Sequence, residues 1–174
     1  MKKNDRLPTA FYTRDVLEVA PGLLGKILVR KYDDQTFRKF LITEVEAYRG
    51  EEDLACHAQK GRTKRTEIMY HQGGHLYVYL IYGMYWMLNV VTGEENNPQA
   101  VLIRGIEGFD GPGKITKNLS IDHSFYGIHL NTSHHLWIEN PCHPEKVRFK
   151  TAPRVGIDYA GEYWKNKPWR FILD

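Results

Sequence analysis

The sequence has only two cysteines, Cys56 and Cys142, in 174 residues, too few for a disulfide framework to hold the fold. Each is followed by a histidine (Cys56-His57, Cys142-His143). Structural zinc sites pair ligands two to four residues apart, so adjacent pairs argue against a local zinc site. Long apolar runs are missing as well. The longest, Leu76 to Val91, is about 16 residues and carries four tyrosines, a glycine and an asparagine, where a membrane span needs roughly 20 apolar residues. The charges of Met1–Pro8 have no apolar stretch behind them, so no secretory leader is expected and the chain is read as intracellular, away from membranes. Excess charge of one sign is small: 24 Lys+Arg against 21 Asp+Glu, a net +3. That excludes a histone-like polycation but allows a nucleic-acid binder whose basic residues are gathered on one face. Repeats, low-complexity stretches and linkers are absent too, which points to one domain over residues 1–174.

What the chain does have is aromatic: 11 Tyr, 7 Phe and 4 Trp, unevenly spread. Thr13 to Leu24 carries a helix start signal, Asp15 as N-cap and Glu18 three residues on, with Pro21-Gly22 to end or kink it. Residues 25–32 and 36–48 read as strands around a turn at Asp33-Asp34. Arg49 to Thr66 reads as a loop with room for a short helix. Leu76–Tyr82 and Tyr85–Thr92, rich in β-branched and aromatic residues around Gly83-Met84, read as a β-hairpin. Residues 100–106, 136–138 and 169–173 complete the strands, and Gly111 to Asp122 holds a short helix. Strands dominate and connections are short, so an α+β fold with an antiparallel or mixed sheet is expected.

Three constellations could carry chemistry. Unbroken alternation along the second strand puts Phe40, Ile42, Glu44, Glu46 and Tyr48 on one face. Two carboxylates beside Phe40 and Ile42 are costly to bury without partners, and either would serve as a general base at the mouth of a pocket. Spacing does not choose between Glu44 and Glu46. In the segment 77–85 (YVYLIYGMY), Tyr77 and Tyr79 share a face while Tyr82 falls at the bend, where burial is poor; proteins that kink DNA from the minor groove insert a wedge from such a place. The loop Lys60–Thr66 is basic, and beside a flat aromatic element it would supply phosphate contacts. One tempting motif fails. Gly108–Lys114 satisfies G-x-x-x-x-G-K, but Ile115 stands where a magnesium-binding Ser or Thr is needed, and Pro112 removes a backbone donor.

Taken in order, ITEVEAY (42–48), EEDLACH (51–57), GRTKR (61–65), GHLYVYLIYGMYWMLNVVT (74–92), AVLIRGIE (100–107), GPGK (111–114), PRVGI (153–157) and KPWRF (167–171) closely resemble the alkyladenine, or 3-methyladenine, DNA glycosylase family. The resemblance runs from about Thr13 to the C-terminus. It implies a single domain with a curved, mainly antiparallel sheet flanked by helices and a protruding β-hairpin. It makes Glu46 the general base that activates a hydrolytic water, with Arg104 and the carbonyl of Val155 holding that water. Tyr48, His57 and Tyr79 become the walls between which a flipped base stacks, and Asn89 the side chain that screens guanine by its exocyclic amine. Tyr82 becomes the residue that takes the flipped nucleotide's place in the minor groove, flanked on the DNA by Met84 and Tyr85; the basic loop's own charge puts Arg62, Lys64 and Arg65 on phosphates beside it. The implied partner is double-stranded DNA with damaged purines; a monomer is the default expectation, and no cofactor or metal is expected.

The chain departs from that pattern in two places. Only Gly108-Phe109-Asp110 stand where the family carries a longer segment with basic residues, which predicts fewer DNA contacts. Glu51 replaces the proline of G-P-E-D, which predicts a looser loop before His57. The competing reading is a non-catalytic module that kinks the minor groove with Tyr82; Glu46 separates the two, because a binding module has no use for a general base.

Overall fold

The computed structural model describes residues 6–142 and 147–174; Met1–Asp5 and His143 of the second Cys-His pair lie outside them. Two helices, α1 (Thr9–Tyr12) and α2 (Val16–Leu23), open the chain. Asp15 caps α2 by accepting from the Leu17 N–H at 2.9 Å, the bond an orphan first-turn donor needs. Pro21 and Gly22 lie inside α2 and do not end it. In so short a helix the missing proline N–H removes a single bond, while Val16, Val19, Ala20 and Leu23 are all buried.

The remaining elements are β1 (Ile27–Lys31), β2 (Phe37–Arg49), β3 (Leu76–Ile81), β4 (Tyr85–Thr92), β5 (Gln99–Ile106), β6 (Phe109–Asp110), α3 (Pro112–Leu119), β7 (Leu136–Glu139), β8 (Phe149–Ala152), α4 (Gly161–Lys165) and β9 (Arg170–Leu173). The strands form one sheet in the order β3-β4-β5-β2-β1-β7, with β6 against β5, and β9 between β2 and β8. Every pairing is antiparallel, so the architecture is the expected α+β class with few helices. Two strands escape the sequence pattern. β6 is two residues long, and β8 (FKTA) has three exposed positions, so neither shows an apolar alternation.

β2 does more than alternate. Ile42 pairs with Ile106, Glu44 with Gly105 and Val45 with Ile103, so the register shifts on either side of Glu44. Thr43 of β2 and Arg104 of β5 are left without a cross-strand partner, the signature of facing bulges. Gly105 permits the approach: a Cβ there would lie 2.8 Å from the Glu44 Cβ and 2.9 Å from the Thr43 Oγ1. The single-face reading of β2 is corrected by this. Ile42, Val45 and Ala47 go into the main core with α2, α3 and the outer faces of β3 and β4, while Glu46 and Tyr48 turn to the opposite face. The carboxylates therefore never share a face with Phe40 and Ile42, which removes the burial conflict the alternation implied.

The tip of the β3–β4 hairpin is a tight turn in which the Met84 N–H donates to the Ile81 carbonyl at 3.1 Å. Tyr82 and Gly83 both adopt positive φ, 51° and 66°, as a primed hairpin turn demands. Glycine does this freely; a bulky aromatic does so at a cost of about 1–2 kcal/mol. The Tyr82 ring is 85% exposed, with Met84 at 64% and Tyr85 at 46%.

Candidate active site

The pocket face of the hairpin and the bulged half of β2 enclose a cavity of about 360 Å³. β2 supplies Glu46 and Tyr48, β3 supplies Tyr77 and Tyr79, β4 supplies Met87 and Asn89, and β5 supplies Leu102 and Arg104. The tip residue Tyr82, His57 and the segment Val155–Ile157 close it.

Glu46 is fully buried. One oxygen, Oε1, accepts from the Val155 N–H at 2.8 Å and lies 3.6 Å from the Arg104 Nε; the other, Oε2, accepts from the Tyr48 hydroxyl at 2.8 Å. Burial raises its pKa above the usual carboxylate value, against the opposing pull of the Val155 bond, Arg104 and Tyr48. Arg104 owes its aim to the bulge. Its Nε donates to Glu44 Oε1 at 3.0 Å, and that same oxygen accepts from Arg170 Nη1 at 3.0 Å. Glu44 is thus occupied by two guanidinium groups, whereas Glu46 is the carboxylate that meets the cavity.

The aromatic walls are equally ordered. His57 Nδ1 and the Tyr77 hydroxyl are 2.8 Å apart, and the His57 and Tyr79 rings meet edge to face at 4.6 Å. Burial, helped by Arg65 and Lys60, lowers the His57 pKa to about 4, so the imidazole is neutral at physiological pH. Asn89 spends both amide hydrogens on backbone, the Tyr77 and Met87 carbonyls at 3.1 and 3.3 Å, so its side chain cannot turn. Burial pushes the Tyr48 hydroxyl well above its ordinary pKa, so it donates as a neutral phenol.

The basic loop divides. Arg62 grips Glu67 through Nε at 2.9 Å and Nη2 at 2.6 Å and also reaches Asn96, so it is largely engaged within the chain. Lys60, Lys64 and Arg65 have no carboxylate partner among the described residues. Lys60 and Arg65 line a second cavity of about 270 Å³ that shares His57 and Tyr159 with the first, and the Arg65 guanidinium lies 5.1 Å from the Tyr79 ring centre. Met84 and Tyr85 stay outside at the hairpin tip, where the Tyr85 ring packs so closely on Gly113 of α3 that a Cβ there would sit 2.8 Å from it.

One contact adds to the expected set. Val155 presents its N–H to Glu46, a role sequence reasoning did not assign. It also missed Asp53 and Arg154, a fully buried ion pair beside the cavity. Both stand in motif segments, EEDLACH and PRVGI, but 101 positions apart, and a single sequence does not show which distant charges meet. Cys56 is buried with its thiol pushed up to about 12, a state in which it is inert. Among the described residues no group of three or more His, Cys, Asp or Glu is placed to hold a metal, and no helix is long and apolar enough to cross a membrane.

Comparison with known proteins gives the family. The methylpurine-DNA glycosylase family profile matches residues 10–110 and 108–174. A protein of Legionella pneumophila (strain Corby) named "Putative 3-methyladenine DNA glycosylase" is 43% identical over 175 residues, covering 97% of this chain and 94% of that protein. Proteins of the same name from Methanocella arvoryzae and Borreliella burgdorferi (strain ZS7) are 44% and 41% identical, covering 95% and 94% of this chain. The chain belongs to the methylpurine-DNA glycosylase family, which puts it among hydrolases of N-glycosyl bonds.

The directions of the two pKa shifts fix a pH profile. With Glu46 as the base proposed below, ionised only above its raised pKa, activity is expected to rise with pH through a midpoint above 4.5, the ordinary glutamate value. His57 is already neutral above about 4 and adds no limb near pH 6.5. Single-turnover rates from pH 4 to 9 check this; a limb that disappears in His57→Gln would contradict it.

Proposed function

We propose that this chain is a monofunctional DNA glycosylase of base excision repair. It flips a damaged purine, such as 3-methyladenine, 7-methylguanine or hypoxanthine, out of duplex DNA and hydrolyses its N-glycosidic bond with a water activated by Glu46. The observation that carries this reading is a fully buried carboxylate at the wall of an aromatic cavity, held by the Val155 N–H and the Tyr48 hydroxyl.

In this reaction the bond from C1′ of the sugar to the purine nitrogen breaks, and the base leaves with the electron pair. Positive charge builds on the sugar, where ionised Glu46 stabilises it. The water oxygen then bonds to C1′ and its proton passes to Glu46. Arg104, its Nε held by Glu44, has its remaining guanidinium donors to hold the water, and the Val155 carbonyl is the proposed acceptor. An alkylated purine is a cation and departs neutral. Stacking that cation on Tyr48 and Tyr79 adds roughly 0.5–2 kcal/mol that an undamaged base lacks, and a neutral His57 adds no repulsion. The immobile amide of Asn89 meets the exocyclic amine of guanine and disfavours it, a penalty that the cationic stacking of 7-methylguanine offsets and neutral guanine cannot. Tyr82 fills the vacated stack with Met84 and Tyr85 beside it, while Arg62, Lys64 and Arg65 approach phosphates, the last two with free charge. The protein works as a monomer, inside the cell, wherever the DNA is.

Among the described residues no lysine lines the cavity, which supports water over a Schiff base. The test is release of free base from duplexes carrying each lesion. Because a carboxylate activates the water, rates with and without EDTA are expected to agree; loss of release in EDTA, or no release from any lesion, would contradict the proposal.

A further inference from the structure

The mechanism above leaves unused a buried ion pair beside the cavity. Arg154 and Asp53 are both fully buried, joined by Nη1 to Oδ2 at 2.5 Å and Nη2 to Oδ1 at 2.9 Å. The same Nη1 donates to the Ala47 carbonyl at 2.9 Å, and the guanidinium lies 4.8 Å from the Tyr48 ring centre and 5.0 Å from that of Trp169. Asp53 in turn accepts from the backbone N–H of Arg49 at 3.1 Å and of Ala55 at 3.0 Å. Two side chains therefore tie three segments: β2 at the residue between Glu46 and Tyr48, the loop that leads to His57, and the segment whose next residue is Val155.

We propose that the Asp53–Arg154 pair is the positioning clamp of the active site, setting the Val155 N–H against Glu46 and the Tyr48 ring against the cavity. A stabilising role alone is a weak explanation. Burying two charges costs solvation that an apolar pair would not lose, and the Arg154 Nε is itself buried without a partner. What an apolar pair cannot do is hold three backbone segments by directed bonds. The planar fork of arginine on a carboxylate fixes both distance and angle. The clamp also answers the expected looseness of the loop 51–56. Glu51 accepts from the Tyr70 hydroxyl at 2.5 Å, and Asp53 anchors the stretch that follows, so the missing proline is compensated locally.

The inference rests on the proposed role of Glu46, so the test carries one readout that needs no activity. Arg154→Lys and Asp53→Glu both keep the charges but spoil the fork. The other groups facing Glu46 (Glu44 and Tyr48 on β2, Arg104 on β5, Tyr79 on β3, and Arg170 on β9 through Glu44) are unchanged, so any effect is geometric. The pH midpoint of the Glu46 carboxyl carbon, followed by NMR, is expected to rise by about one unit, the worth of one hydrogen bond to a charged acceptor. The single-turnover rate of the folded fraction is expected to fall about tenfold or more through misplacement of Glu46 and Tyr48. If one variant does not fold, the other decides. A folded variant with an unshifted Glu46 midpoint and an unchanged rate would overturn the clamp. If the wild type releases no base, the proposed function fails, and the NMR midpoint still decides the clamp by itself.

Discussion

Tyr82→Ala is expected to lose about 10- to 100-fold in binding to, and base release from, lesion-containing duplex, while release from a single-stranded substrate is spared. The magnitude follows from one lost ring–base stack, worth roughly 1–3 kcal/mol. The ring is 85% exposed and makes no core contact, so its removal costs the fold little. Its backbone explains why so poor a turn residue stands there. A tyrosine held at φ 51° carries strain that an asparagine or glycine would avoid, and such strain persists where the side chain's placement matters more than the turn's comfort. Competition binding with matched single and double strands checks the prediction. Equal losses on both substrates would remove the wedge.

Glu46→Gln is expected to lower single-turnover release by roughly 10²- to 10⁴-fold, the usual worth of a positioned general base, while lesion-duplex binding stays near wild type. Stability should hold. The amide oxygen of glutamine can still accept from the Val155 N–H, and its NH₂ can donate to the Tyr48 oxygen, which is acceptor as well as donor. Burial raises the pKa of Glu46 on balance, so its ionised form costs the fold free energy as pH rises through the unfolded and then the folded pKa. At neutral pH the glutamine variant is therefore expected to melt at or above the wild-type temperature. A folded, binding-competent, inactive variant separates the glycosylase from a module that only kinks DNA; a fully active one would remove Glu46 as the base.

Apart from β6 and β8, the strands and the hairpin were legible because β-branched and aromatic residues mark them, and the order of motifs carried the resemblance. The face of β2 was not. Alternation is a rule of unbroken strands, and a pair of facing bulges at Thr43 and Arg104 inverts it halfway. Only Gly105, small enough for the strands to close up, hints at this in the sequence. Glu46, Tyr48, His57, Tyr79, Asn89 and Arg104, which line the cavity, were named from motifs, yet what holds them was not: the Val155 N–H on Glu46, Glu44 on Arg104, and Asp53 on Arg154 are contacts between segments that one sequence does not pair. Arg62 shows the converse. A basic loop suggests phosphate contacts, and nothing in the sequence shows that Glu67 five residues on also holds that side chain.

The central claim is hydrolysis of an N-glycosyl bond by water at Glu46. Its most direct measurement is product analysis after a single turnover on a hypoxanthine or 3-methyladenine duplex in ¹⁸O-water. The account predicts free base, an intact strand and one ¹⁸O at C1′ of the abasic sugar. Strand cleavage, trapping of the protein on DNA by borohydride, or a duplex that keeps its base would contradict it.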